Sequence, residues 1–165
     1  MRFLPTIEAV KEHMKKHAEF LRPRFEAVER KLTEGLGDTG CATWTHPRGG
    51  YFVSFDGPEG SAQKVAALCA DLGVKLTPAG ATWPYGKDPR DTNIRIAPSY
   101  PTVEDLEAAL DVLVLAVKLV AAELARAERA YARLPVLSAL SIRKGAYTWI
   151  WVFPPTPRQS STPLR

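Results

Sequence analysis

Apolar residues recur at helical spacing over residues 7–32, where Ile7, Val10, Met14, Leu21, Phe25, Val28 and Leu32 share one side and lysines and glutamates fill the others. The pattern predicts a long amphipathic helix. Pro23 lies inside it, and a proline lacks the backbone donor and crowds the preceding turn, so a kink or two consecutive helices are expected, ended by Gly35 and Gly37. The period then shortens to two. Residues 41–44 and 51–55 read as strands joined by Thr-His-Pro-Arg-Gly-Gly, in which Pro47 breaks a ladder and the paired glycines permit a hairpin or a sharp bend. Helical spacing returns after Ser61, with Val65, Leu68, Cys69 and Leu72 facing inward and Gly73 as the stop. Residues 74–77 read as another strand, closed by Pro78 and Gly80. The Pro-, Gly- and Asp-rich residues 81–92 form a loop, with Trp83 and Tyr85 as candidate tethers.

Residues 93–98 alternate, placing Ile94 and Ile96 on one face of a short strand and Arg95 and Ala97 on the other. Thr102 followed by Asp105 resembles a capping box. The helix it opens carries Leu106, Leu110, Leu113, Val117 and Leu124 on one side and runs to about residue 133. The order helix, strand, strand, helix, strand, strand, helix predicts an α/β fold of the α+β two-layer sandwich kind, with the helices packed on one face of a short mixed sheet.

Pro135 ends that order, which divides the chain into a domain at 1–134 and a tail at 135–165. The tail holds the aromatic run YTWIWVF and the proline-rich PPTPRQSSTPLR; it reads as lacking fixed structure or as grown from a disturbed reading frame. Charge follows the same division. The 165-residue chain has a formal net charge of +4, yet all 18 acidic side chains precede residue 129, so the excess is a basic end and not a basic face. This argues against nucleic acid as a partner, and no zinc-finger spacing or RNA-binding signature is present. The two cysteines are too few for a disulfide framework and fit reduced thiols in the cytoplasm. Membrane insertion is not expected, because Asp111 and Lys118 interrupt the apolar stretch at 110–122.

Among candidate chemistry, Arg95 stands out. An arginine on a rigid strand beneath turn-rich loops can clamp a carboxylate through two parallel charge-assisted hydrogen bonds. Spacing alone is equally met by a surface arginine paired with an acid, the commoner arrangement. His13 and His17, four apart on one helix face, could seat a metal, but Met14 replaces the glutamate of an HExxH site and no third ligand is indicated. A solvated or interface pair is the simpler reading.

Four stretches in order, HMKKH at 13–17, HPRGGYF at 46–52, LTPAGATWPYG at 76–86 and NIRIAPSYP at 93–101, resemble the C-terminal small domain of class I pyridoxal 5'-phosphate aminotransferases, specifically a bacterial aspartate aminotransferase-like subgroup. The resemblance covers about residues 2–125. It implies the small-domain fold of fold type I and amino-group transfer between an amino acid such as aspartate and a 2-oxo acid. It also implies that Arg95 binds the substrate α-carboxylate, with Phe52 bordering the substrate and Gly50 letting the backbone approach it. Pro78 and Gly80 would shape the loop beside them, while Tyr51, Trp83 and Tyr85 could line the mouth or merely pack. The family's cofactor lysine, the aspartate at the pyridine nitrogen and the phosphate cup would precede Met1, so no cofactor is expected on this chain alone and no unaided transamination. Met1 matches an internal position of the family, as in a truncated or split gene. The implied partners are a substrate carboxylate and either a missing large domain or another copy of the chain; the alternative is a non-catalytic interaction module that kept the fold.

Overall fold

The computed structural model describes residues 6–132. It contains helix α1 at Ile7–Leu36, strands β1 at Thr43–Trp44 and β2 at Val53–Asp56, helix α2 at Ala62–Asp71, strand β3 at Asn93–Ile96 and helix α3 at Val103–Ala132. A single 3-10 turn lies at Pro84–Gly86. The aromatic run at 147–153 and the rest of the tail lie outside the described residues.

Thr6 starts α1 by accepting the Ala9 N–H on its Oγ1 at 3.2 Å, which satisfies one of the amides a helix start leaves without a partner. The helix then runs through Pro23 as one continuous element, so of the kink or two consecutive helices expected there the second does not occur. The neighbouring side chain explains this. Arg24 Nη1 donates to the Phe20 carbonyl at 2.9 Å, its Nε donates to the Pro101 carbonyl at 3.1 Å, and its Cζ stacks 3.9 Å from the Phe20 ring. A tertiary contact therefore braces the turn that the proline weakens. Gly35 does not end the helix either. A Cβ at that position would fall 2.6 Å from Val114 Cγ1, so glycine is there because α3 crosses α1 closely.

The sheet has the order β1-β2-β3 with both pairings antiparallel; Ser54 lies opposite Arg95, and Phe55 opposite Ile94. It is not mixed, because the expected strand at 74–77 joins no ladder among the described residues. The end of α2 accounts for that. Gly73 N–H returns to the Ala70 carbonyl at 3.0 Å and Val74 N–H to the Cys69 carbonyl at 2.7 Å, so the first amide of the segment is spent on closing the helix. Val74 and Leu76 instead pack partly buried against the core. The first two strands are also shifted from 41–44 and 51–55, leaving Tyr51 and Phe52 ahead of β2 and about half exposed. Leu72, expected to face inward, sits beyond the last turn of α2 and points to solvent.

One core holds the layers together. Val53, Phe55, Ile94 and Ile96 from one face of the sheet join Val28, Leu32 and Leu36 of α1, Val65 and Cys69 of α2, and Leu106, Leu110, Leu113, Val117 and Val120 of α3. The helices thus cover one face of the sheet, as the α/β two-layer reading requires. Burial pushes the Cys69 thiol up, away from the reactive thiolate. Lys31 Nζ bonds both Asp111 carboxylate oxygens at 2.8 Å and Arg30 pairs with Glu107, fixing α1 against α3 at the solvent edge. Among the described residues no helix is long and apolar enough to cross a membrane.

Candidate functional site

With Ile94 and Ile96 sunk in the core, β3 turns Asn93 and Arg95 to the opposite face of the sheet. Asn93 is buried and saturated. Its Nδ2 donates to Ser54 Oγ at 2.9 Å, the Phe55 carbonyl at 3.3 Å and Asp56 Oδ1 at 3.1 Å, while its Oδ1 accepts from Thr82 Oγ1 at 2.6 Å. Ser54, directly opposite Arg95, is held in turn by the residue that follows β1: its N–H donates to Thr45 Oγ1 at 3.0 Å and its carbonyl accepts the Thr45 N–H at 2.9 Å. The strand paired with Arg95 is therefore held along both of its edges, which steadies β3 on the one side where it has a neighbour.

Arg95 is half-buried, and its Nε is buried with no hydrogen-bond partner among the described residues. Its Cζ lies 4.5 Å from the centroid of the Phe52 ring. Leaving a desolvated donor without an acceptor costs about 1–3 kcal/mol, a debt that an incoming carboxylate would remove. The cation–π contact covers one flat face of the guanidinium and leaves the N–H edge for an in-plane acceptor. Phe52 reaches that position through the bend at Gly49 and Gly50. Gly50 has φ +93°, a conformation costly for any residue with a Cβ, and is exposed. Sequence reasoning thus named two residues that the fold brings into contact and a third in the bend that delivers one of them. Gly50 and Tyr51 also line a groove of about 850 Å³ between α1 and residues 45–53, which Arg95 and Phe52 do not line.

The loop at 81–92 is held differently from the expected aromatic tethering. Tyr85 is 97% exposed and anchors nothing. Instead Gly80, at φ +84°, packs so tightly that a Cβ would fall 2.3 Å from the Gly86 carbonyl oxygen, and the Trp83 N–H closes a turn onto the Gly80 carbonyl at 2.9 Å. Asp91 ties the loop to α2. Its carbonyl accepts the Ser61 and Ala62 N–H groups at 3.0 and 2.8 Å and its Oδ1 accepts the Gln63 N–H at 3.1 Å, so Asp91, and not the Ser61 hydroxyl, caps that helix.

Asp88 performs the same service for β3. Its carboxylate accepts N–H bonds from Arg90 at 3.0 Å, Thr92 at 2.8 Å and Asn93 at 2.9 Å. Desolvation pushes its pKa up, but the backbone donors of Asn93, Arg90 and Thr92, together with the Arg90 charge, outweigh it and leave the group below the usual carboxylate range. A lowered pKa stabilises the folded state above the unfolded value of about 3.9, and that contribution is lost as pH falls through the lower folded value. Below about pH 4, the thermal midpoint of the native chain should therefore fall more steeply than that of Asp88→Asn. Parallel acid limbs in a pH series of thermal melts would remove the carboxylate from this role.

Sequence reasoning missed the Asn93–Ser54–Thr82 network and both aspartate anchors. The run Asp-Pro-Arg-Asp-Thr-Asn at 88–93 carried the signal, since Asp and Asn before a strand commonly bond the backbone a few residues on. It also missed Glu29, whose Oε2 accepts Trp44 Nε1 at 3.2 Å and pairs with His46 Nδ1 at 2.8 Å, joining α1 to the chain around β1. No group of three or more His, Cys, Asp or Glu able to hold a metal occurs among the described residues.

Comparison with known proteins gives consistent matches. The family model described as aspartate amino-transferase matches residues 1–129. An aspartate aminotransferase of Corynebacterium glutamicum is 44% identical over 122 residues, covering 74% of this chain and 28% of that protein. The crystal structure of an aspartate transaminase from Corynebacterium glutamicum aligns with a TM-score of 0.72 at 44% identity, over 74% of this chain and 29% of that one. A multiple substrate aminotransferase from Thermococcus profundus aligns with a TM-score of 0.60 at 26% identity, over 68% of this chain and 27% of that one. The chain spans under a third of the length of these relatives.

Proposed function

Because the chain belongs to the aspartate amino-transferase family, we propose that its described part is the substrate-binding small domain of an aminotransferase, with Arg95 clamping the α-carboxylate of an amino acid or its 2-oxo acid. The observation that carries this reading is the buried, partnerless Nε of Arg95 beside the Phe52 ring. A carboxylate approaching the end of the fork would accept from its two Nη groups in parallel, and from the buried Nε only once the packing over it gives way. Phe52 keeps the guanidinium plane in place and shields one side of the bound acid from water. Gly50 gives the bend its shape, and the Asn93 network keeps β3 from yielding when the ligand pulls on it.

Pyridoxal 5'-phosphate, when bound to a complete aminotransferase, supplies an electron sink for amino-group transfer. The residues present do not fit it on their own. Such a site needs an enclosed lysine, and no described lysine is buried; Lys31, the one half-buried example, has its Nζ committed to Asp111. The chain should therefore not transaminate unaided. The apolar side chains in the first half of α1 favour a covering partner: Ile7 is 60%, Met14 47% and Phe20 53% exposed. A large domain of the kind its longer relatives have room for suits that surface and would complete the enzyme. The same exposure favours a second reading, an interaction module that pairs with its own copies. A cytoplasmic setting suits the two unbridged cysteines.

Titration of the chain with succinate, followed by amide and arginine side-chain NMR, tests the clamp. Signals of residues 93–96 and of Phe52 should shift in a saturable way with the dicarboxylate and stay fixed with uncharged succinamide. Equal response to both, or none to either, would dispose of the carboxylate reading. Sedimentation of the same samples separates the second reading, which requires self-association in the absence of ligand.

A further inference from the structure

The His13–His17 pair, which the substrate-binding reading leaves unused, has a defined geometry. The two Nε2 atoms lie 3.0 Å apart across one turn of α1, with the rings at 73° to each other and their centroids 4.6 Å apart. Metal–imidazole bonds of about 2.0–2.1 Å spanning that separation enclose an angle of about 94°, close to a right angle and accessible to both octahedral and distorted tetrahedral ions. We propose that His13 and His17 form a two-point chelate for a borderline divalent transition-metal ion such as Ni²⁺, Cu²⁺ or Zn²⁺.

Three features support this. Both rings are half-buried, not splayed into solvent, and His17 borders the groove beside α1, so the pair is partly ordered before a metal arrives. The 3.0 Å contact is a hydrogen bond in which one Nε2 carries a proton, and the ion replaces that bond once the donating ring shifts its proton to Nδ1, a tautomer open to neutral imidazole. Imidazole nitrogen suits these three ions, whereas Mg²⁺ and Ca²⁺ prefer oxygen. The site is for binding and not for water activation, since Met14 stands where a HExxH site carries its basic glutamate. With two protein ligands the remaining coordination positions belong to water. Because the two nitrogens converge only while residues 13–17 are helical, the ion also staples the exposed half of α1.

The test uses the full chain without an affinity tag, at about pH 7.5. Calorimetric titration with NiCl₂ should give one ion per chain. His17→Gln should weaken binding by about tenfold or more, because it converts a chelate into a single ligand. His46→Gln and Cys41→Ser, which remove the remaining imidazole and the half-buried thiol, should leave the affinity within about twofold. Saturating ZnCl₂ should slow amide exchange across residues 10–20 in the native chain and not in His17→Gln. Absence of binding, binding that survives His17→Gln, or binding lost in His46→Gln or Cys41→Ser would each overturn the proposal. None of these readouts depends on the carboxylate clamp.

Discussion

Arg95→Ala should lower kcat/KM by about 10²- to 10³-fold in a chimera that joins this chain to the preceding part of the Corynebacterium glutamicum aspartate aminotransferase, since breaking a buried, hydrogen-bonded charge pair costs about 2–5 kcal/mol. The effect should divide between both constants. A carboxylate held equally in the bound and reacting states contributes to KM alone, but a substrate that can swivel is also misaligned for the reaction, so kcat falls as well. Arg95→Lys keeps the charge and loses the fork, and is expected to recover part of the loss while remaining about tenfold impaired. Phe52→Leu should act more mildly and mainly on KM, because it removes the stacking platform and not the donors. Steady-state kinetics on the four chimeras separate these cases. Native-like kcat/KM in Arg95→Ala would mean that the carboxylate is gripped elsewhere.

The helices and the Arg95 strand were legible in the sequence because burial stamps a period on the chain. Val28 and Leu32 in α1, Leu106, Leu110, Leu113 and Val117 in α3, and Ile94 and Ile96 in β3 are all buried where the spacing puts them. What failed had causes outside the local window. Pro23 does not divide α1 into two helices, and beside it Arg24 reaches across to Pro101, a contact no helical pattern encodes. Gly35 looked like a stop and is instead where Val114 needs room. Residues 74–77 have strand-like composition, yet the end of α2 takes their first donor. At the site, the family motifs pointed to Arg95, Phe52 and Gly50, whereas the network that steadies them depends on pairings of Asn93 with Ser54, 39 positions away, and with Thr82. Alternation can say which way Arg95 points. It cannot say that its Nε is left without an acceptor, and that is a property of the folded surroundings alone.

Phe55→Ala should be the most damaging single change to the fold. Phe55 is 0% exposed, lies opposite Ile94 in the β2–β3 ladder, and belongs to the cluster that all three helices share. Truncating a buried phenylalanine removes its transfer free energy and leaves a cavity that rigid neighbours cannot close, a loss of about 3–5 kcal/mol. Against a total stability of about 5–15 kcal/mol for an ordinary domain, that is a large fraction. The thermal midpoint should drop by about 10–20 °C, and urea denaturation should show a lower midpoint with an unchanged slope. Tyr85→Ala supplies the contrast: a ring 97% exposed should change stability by less than about 0.5 kcal/mol. The same substitution at Phe55 also tests the link between core and site, because β2 carries Ser54 against Arg95. If the packing beneath the sheet sets the clamp, Phe55→Ala should weaken succinate binding at temperatures where the chain is still folded. Undiminished binding would show that the Asn93 network holds the Arg95 strand in place without help from the core.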